Sequence, residues 1–294
     1  MGKRYFLVAA FALAIASQVT AEGFAVNYLD GLAELQTAKG WIQLSIGDQV
    51  PADASVRVSQ KGSLELLKGT VRITILKDGV YSMAALTKNT AAAGTGPVGN
   101  AITQKLQSLV TEKPKQSQVG GVRGAEQSGG SVMWVGGDDE VRSEVESFFA
   151  QAQYAEAVNV LMQAITEAVT DADRDEFTYL LGAAYYGAGQ TAKAFRTLSA
   201  VSPQLDALWY ARYVILKAQV LLDTQEYKDA LALLAPFVST FPTGEATQVA
   251  LLLTYFCQKG LGDQAAAGAA LEAGYKLDAA TGTAKLIEEQ RRAP

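Results

Sequence analysis

Residues 180–195 read "LLGAAYYGAGQTAKAF" and combine Gly187 and Gly189 with a lysine at position 193. Glycines followed by a lysine occur both in phosphate-binding loops and in turns between helices. A phosphate-binding loop needs Gly-Lys followed by Ser or Thr, and Gly-Lys occurs in this chain only at residues 2 and 3. The stretch is therefore predicted to contain the turn that connects two helices.

A motif of small and large residues recurs on both sides of this stretch. An alanine is followed four residues later by a leucine at Ala157/Leu161, Ala194/Leu198, Ala230/Leu234 and Ala267/Leu271. Successive alanines are 37, 36 and 37 residues apart. Together with Leu181, Gly182 and Tyr185, this spacing resembles the tetratricopeptide repeat (TPR), a helix-turn-helix unit of about 34 residues.

The TPR resemblance implies an all-α solenoid over residues 138–294, with "AKLIEEQRR" (284–292) as a capping helix. In that family the first helices of the repeats line a concave groove that binds ligands. Carrying those positions over to this chain predicts a partner-binding groove with Arg142, Glu146, Tyr179, Tyr186, Arg212 and Gln219. The alternative for the tyrosines is a place in the core, which is typical of aromatic residues at helical spacing.

Residues 22–90 alternate apolar and polar side chains with a period of two, which predicts strands. Asp30-Gly31 and Lys39-Gly40 are turn signals that predict two hairpins. The predicted strands are "FAVNYL", "LAELQ", "WIQL", "SVRV", "SLELL", "TVRITIL" and "VYSMAAL". Six or seven short strands in about seventy residues favour a sandwich or barrel-like all-β domain.

The segment "YLDGLAELQTAKGWIQLSIGDQVPADASVRVSQKGSLELL" (28–67) resembles the FecR-like domain of exported bacterial proteins. The similar features are the opening hairpin, the tryptophan, the "IGD" turn at 46–48 and the "VRV" strand. "VGGVRGAE" (119–126) resembles the turn near the end of such domains, except that Ala125 replaces the usual threonine. The chain lacks the central membrane-spanning helix of the FecR signalling protein, so the resemblance implies a module and not that pathway.

The first 21 residues are typical of a secretory signal peptide. Lys3 and Arg4 precede the apolar run "YFLVAAFALAIA", and Val19, Thr20 and Ala21 form a small-residue cleavage signal. Cleavage after Ala21 predicts a periplasmic protein. A retained membrane anchor is the alternative, although the run is short for a span.

Residues 91–137 are rich in Gly, Ala, Ser and Thr, which predicts a flexible linker. Within it, "AITQKLQSLV" (101–110) has the spacing of a short docking helix, and "SVMWV" with Trp134 is a candidate last strand of the β-domain. The β-domain is accordingly predicted over residues 22–90, with an extension to 135 left open. Gly94, Gly96 and Gly99 match a dinucleotide-binding pattern but lack the strand and helix that it requires.

The sequence has few of the residues and patterns that are typical of catalytic or metal-binding sites. The chain has no histidine, and its one cysteine, Cys257, is in an apolar helical run that predicts a buried thiol. Asp171, Asp173 and Asp175 resemble the start of a calcium loop, but the glycine and glutamate that would complete it are absent. Acidic residues at a helix start are the simpler interpretation.

These observations predict a protein that is not an enzyme and has no cofactor or metal: an envelope adaptor that binds a protein or peptide. The alternative is a module that binds envelope glycan through the β-domain. Removing Lys3 and Arg4 changes the net charge from −5 to −7, which disfavours a nucleic-acid partner. No stable membrane insertion is expected after signal removal.

Overall fold

The computed structural model of the protein describes residues 23–92 and 138–292. Several predictions fall outside these residues: the signal peptide, the docking helix, the glycine pattern, the "VGGVRGAE" turn and the strand with Trp134. Strands and helices are numbered in chain order over the described residues, and no helix among those residues is both long and apolar enough to cross a membrane.

The N-terminal region consists of two antiparallel four-stranded sheets. Its strands are β1 (Phe24–Asp30), β2 (Ala33–Thr37), β3 (Gly40–Gln43), β4 (Gln49–Val50), β5 (Ser55–Val58), β6 (Ser63–Lys68), β7 (Val71–Ile75) and β8 (Gly79–Ser82). The first sheet has the order β4-β1-β6-β7, and the second has the order β3-β2-β5-β8. Helix α1 (Met83–Ala92) follows β8 directly.

The two sheets enclose one apolar core. Every second side chain of a strand lies on the same face, so Phe24 and Val26 of β1 face inward from the first sheet, and Val56 and Val58 of β5 face inward from the second. The prediction of an N-terminal β region with short alternating strands is therefore confirmed for residues 24–82.

The hairpin predicted at Asp30-Gly31 is wrong. β1 pairs with β4 and β6 in the first sheet, whereas β2 pairs with β3 and β5 in the second. Gly31 has a φ of 74°, and it turns the chain from one sheet to the other. A turn signal between two alternating strands does not distinguish a hairpin from such a corner, because both strands face the same core. The hairpin through Lys39-Gly40 does form, between β2 and β3.

The strand predicted over "VYSMAAL" (80–86) is correct only as far as Ser82. Met83 begins helix α1 and donates its backbone N–H to Ala54 O at 2.9 Å. Methionine, alanine and leucine are strong helix formers, so this part of the segment departs from strand geometry once it has left the sheet.

The C-terminal region is helical, as predicted. Its helices are α2 (Asp138–Ala150), α3 (Tyr154–Glu167), α4 (Asp171–Gly187), α5 (Thr191–Ser199), α6 (Tyr210–Asp223), α7 (Tyr227–Thr240), α8 (Glu245–Gly260), α9 (Gln264–Leu277) and α10 (Gly282–Arg292). Consecutive helices pack against one another, and α4 also contacts α6, α6 contacts α8 and α8 contacts α10. We call α2, α4, α6 and α8 the first helices, and α3, α5, α7 and α9 the second helices.

The pair of a first and a second helix recurs at a regular interval. The second helices begin at residues 154, 191, 227 and 264, which are 36 or 37 residues apart. In each second helix the fourth residue is the alanine and the eighth is the leucine of the sequence motif, and all eight side chains are buried. The recurrence predicted from the sequence is therefore present in the structure.

The outer face of the first sheet contacts the helical region. Glu65 of β6 is 1% exposed although it faces away from the core of the β region, because helix α5 covers it. The polar contacts between the two regions include Glu65 with the backbone N of Ala192 (3.5 Å), Arg196 with Asp30 (2.5 Å), and Lys77 with Glu226 (2.6 Å) and Asp229 (2.8 Å).

Candidate functional site

Arg142 of α2 connects this helix to α4. Its Nη2 lies 2.8 Å from Asp173 Oδ1 and 2.9 Å from Glu176 Oε2, both on α4. Its guanidinium also lies 5.4 Å from the ring centroid of Phe177. Hydrogen bonds from Thr170 and then from Arg142 lower the pKa of Asp173. Arg142 therefore fastens α2 to α4, and part of its charge is already balanced within the protein.

Tyr179 has a different position from the one predicted. Its side chain is 1% exposed, so its ring lies in the core and not on the surface of a groove. The ring stacks on Trp209 with the centroids 5.2 Å apart, and it makes an edge contact with Tyr213. Trp209 immediately precedes α6 and covers this part of α4, which sequence spacing alone does not reveal. Burial raises the pKa of the Tyr179 hydroxyl, and the positive charge of Arg212 opposes this effect.

Two other predicted residues, Tyr186 and Gln219, meet at an aspartate that the sequence did not single out. The Tyr186 hydroxyl of α4 donates to Asp223 Oδ2 at 2.6 Å, and Gln219 Nε2 of α6 donates to Asp223 Oδ1 at 2.8 Å. We call these three residues the Asp223 cluster. It joins α4 to α6 in the way that Arg142 joins α2 to α4.

The members of the Asp223 cluster differ in exposure. Asp223 is exposed to solvent and Tyr186 is half-buried, whereas Gln219 is 5% exposed. The protein surrounding the Asp223 carboxylate raises its pKa, and the hydrogen bonds from Tyr186 and Gln219 partly offset that rise. Asp223 is therefore a solvent-accessible carboxylate that two hydrogen-bond donors hold in place.

The remaining two predicted residues are partly exposed. Glu146 lies on α2 one turn after Arg142, and Arg212 lies on α6 near the Tyr179 hydroxyl. The structure thus unites Tyr186 with Gln219 through Asp223, and Arg142 with the acidic residues of α4. Asp223 could have been found from the sequence as an aspartate at a predicted helix C-terminus, which is an unfavourable place for a negative charge.

A second polar and aromatic surface lies on the outer face of the second sheet. The Arg57 guanidinium lies 4.6 Å from the ring centroid of Trp41, and its Nη2 lies 2.6 Å from Glu34 Oε2. Strand pairing places Gln36 beside Trp41 and Gln43 beside Glu34. This face therefore combines a partly exposed indole with charged and amide side chains.

The acidic residues at the start of α4 take part in helix capping and ion pairing. Asp171 and Asp173 lie in the first helical turn, and Asp173 is bound to Thr170 and Arg142. Within residues 23–92 and 138–292, no three His, Cys, Asp or Glu side chains are grouped so that they could hold a metal ion. Cys257 is buried as predicted, and burial raises the pKa of its thiol to about 12.

Comparison with protein-family models, with curated proteins and with solved structures gave no significant match.

Proposed function

We propose that this chain is a non-enzymatic adaptor of the bacterial periplasm that binds a protein or peptide segment along its first helices. In this proposal the helical region is a TPR solenoid, and the β region is a FecR-like module. The observation that carries the proposal is the helix pair that recurs every 36 or 37 residues with the same buried alanine and leucine. Stacked repeats of this kind present one continuous binding face.

The chemistry of the first helices supports a polar, extended partner. The partly exposed residues of this face are Arg142, Glu146, Tyr186, Arg212 and Asp223, and Gln219 lies behind them. Tyrosine and arginine are the types that contribute most to protein interfaces. In this proposal Tyr179 supports the binding face from within the core, because its ring stacks on Trp209 beneath the surface of α4.

Site-specific photo-crosslinking in the producing cells tests this proposal. A photoreactive residue replaces Glu146 or Arg212 on the first helices, or Met162, which is 55% exposed on second helix α3, as the matched control. We expect one discrete crosslinked partner from positions 146 and 212 and none from position 162. Crosslinks of equal yield from all three positions, or from position 162 alone, would show that the first helices are not the binding face.

A second candidate function is glycan binding by the β region, and the outer-face pair of Trp41 and Arg57 favours it. An indole offers an apolar face on which the C–H groups of a sugar ring can pack, and Glu34, Gln36 and Gln43 could bond its hydroxyl groups. Co-sedimentation with insoluble cell wall tests this function. Trp41→Ala should abolish it, whereas Ile46→Ala, at an exposed position of the same region, should not. A wild-type protein that stays in the supernatant rules this function out.

A further inference from the structure

The Asp223 cluster retains unused hydrogen-bond acceptors. Tyr186 donates its hydroxyl hydrogen to Asp223, and Gln219 donates an amide hydrogen to the other oxygen of the same carboxylate. A carboxylate accepts up to about four hydrogen bonds, so Asp223 has capacity left. Gln219 Oε1 has no partner among the described residues, although the side chain is 95% buried. A group that binds the free acceptor positions of Asp223 must therefore donate hydrogen.

The electrostatic environment of the cluster is negative. Asp223 is the last residue of α6, and Tyr186 is the next to last of α4, so the C-terminal ends of two helices meet here. Helix C-termini carry a partial negative charge, and neither helix has a basic residue in its last turn. Within residues 23–92 and 138–292, no ion pair includes Asp223.

A carboxylate at this place is unfavourable for the free protein. The dipole of α6 opposes a negative charge at its C-terminal end, and a buried amide oxygen without a donor adds a desolvation cost. A cation that carries N–H groups removes the first cost, because it balances the charge and donates to the free acceptor positions of Asp223. A metal ion fits less well, since Asp223 is the only acidic member of the cluster.

We propose that the Asp223 cluster binds an organic cation with N–H groups, namely a lysine or arginine side chain of a protein segment lying along the first helices. The protein source of the cation rests on the proposed function, whereas the cation site rests on the geometry of the cluster. The cation lies against the exposed Asp223 carboxylate. Gln219 takes part by orienting that carboxylate through its Nε2 donor at 2.8 Å.

Two monovalent cations with different donor capacity test the site. Methylguanidinium has N–H donors, whereas tetramethylammonium has the same charge and none. Each is titrated into the intact, isotope-labelled protein at constant ionic strength, with NMR signals of the Gln219 side-chain amide and the Asp223 carboxyl carbon as the readout. We expect saturable shifts with methylguanidinium only. Equal responses to both cations, or no saturable response to methylguanidinium, would overturn the proposal.

Asp223→Asn provides the matching variant because it removes the charge and keeps the side-chain shape. We expect it to weaken methylguanidinium binding by at least about tenfold, whereas Asp206→Asn, in an exposed loop before α6, should leave binding unchanged. Backbone amide spectra report whether each variant is folded. A folded Asp223→Asn protein with wild-type affinity contradicts the proposal, and the comparison of the two cations on the wild type remains decisive if the variant does not fold.

Capped pentapeptides separate the cation site from the adaptor function. Ala-Ala-Arg-Ala-Ala should bind more tightly than methylguanidinium, because a bound segment also uses its backbone, and Ala-Ala-Met-Ala-Ala should bind more weakly than the arginine peptide. If the arginine peptide binds no better than methylguanidinium, the assignment to a protein segment is wrong while the cation site stands. If crosslinking finds no partner but methylguanidinium binds, the adaptor function fails independently of the site.

Discussion

Ala152 and Gln225 have left-handed backbone conformations, with φ of 54° and 62°. They occupy the same place in the turn between a first and a second helix as Gly189 and Gly262, whose φ values are 71° and 82°. The next residue of each turn donates its backbone N–H to the carbonyl five positions earlier, as in Gln153 to Phe148 at 2.8 Å. All four turns therefore have the same geometry, but only two have the residue that adopts it without strain.

Replacing either strained residue with glycine should stabilise the protein. We expect Ala152→Gly and Gln225→Gly each to raise the free energy of unfolding by about 0.5–1 kcal/mol, since the relief of left-handed strain exceeds the added entropy of the unfolded chain. Urea denaturation followed by circular dichroism measures the change. Ala269→Gly, at an exposed position within α9, should instead lower the free energy of unfolding by a similar amount. Turn variants that behave like this control would show that the turns are unstrained.

For single residues, the sequence predicts burial where side chains follow the helical spacing. It does not predict contacts between residues that are distant in the chain. The buried alanines and leucines were predictable because their spacing matches the helical period. Ala152 and Gln225 were not predictable as turn residues, because turn signals depend on Gly, Asn and Asp. The burial of Tyr179 depends on Trp209, thirty residues later, and no local pattern indicates that contact.

Between helices, glycine sets how closely neighbouring elements can pack. A Cβ atom on Gly187 of α4 would lie 2.3 Å from the ring of Tyr154 at the start of α3, and one on Gly260 of α8 would lie 2.5 Å from the ring of Tyr227 at the start of α7. Both pairs join the end of a first helix to the start of a second helix 33 residues earlier in the chain. The tyrosine ring therefore fills the space that the glycine leaves.

Gly260→Ala should disrupt this packing. We expect a loss of about 1–3 kcal/mol in the free energy of unfolding, as is usual for an overpacked core. Gly268→Ala makes the same change within α9, where nothing lies within 4 Å of the added carbon, and it should raise stability by about 0.5–1 kcal/mol. Thermal unfolding of both variants gives the comparison. A Gly260→Ala protein at least as stable as wild type would mean that Tyr227 moves aside at no cost.

For strands, the sequence predicts most of the positions along the chain but not the pairing between them. Strands β1 to β7 follow from the period of two, apart from the two-residue strand β4, which is too short to have a pattern. The pairing of β1 with β6, and not with β2, depends on which of two sheets each strand joins. That choice is made by packing across the core and is not encoded in the turn.

For the whole molecule, the sequence does not predict which helices the β region contacts. The β region lies on the side of second helices α5 and α7, where Arg196 pairs with Asp30 and Lys77 pairs with Glu226 and Asp229. Hydrogen bonds and ion pairs with these two carboxylates raise the pKa of Lys77. Apart from the buried contact of Glu65, the ion pairs that join the two regions are partly exposed, so salt should weaken them.

Proteolysis tests this arrangement directly, because the sequence predicts cleavage between residues 90 and 137. We expect the two fragments to stay together during size-exclusion chromatography at low salt, since the ion pairs persist after the chain is cut, and to separate at about 1 M salt, where the Debye length is about 3 Å.

Lys77→Ala combined with Arg196→Ala should separate them even at low salt. The matched control combines Arg174→Ala with Lys285→Ala, which removes the same charge from exposed positions of α4 and α10 and should leave the fragments associated. Wild-type fragments that separate at low salt would show that the covalent connection, and not the interface, keeps the two regions together.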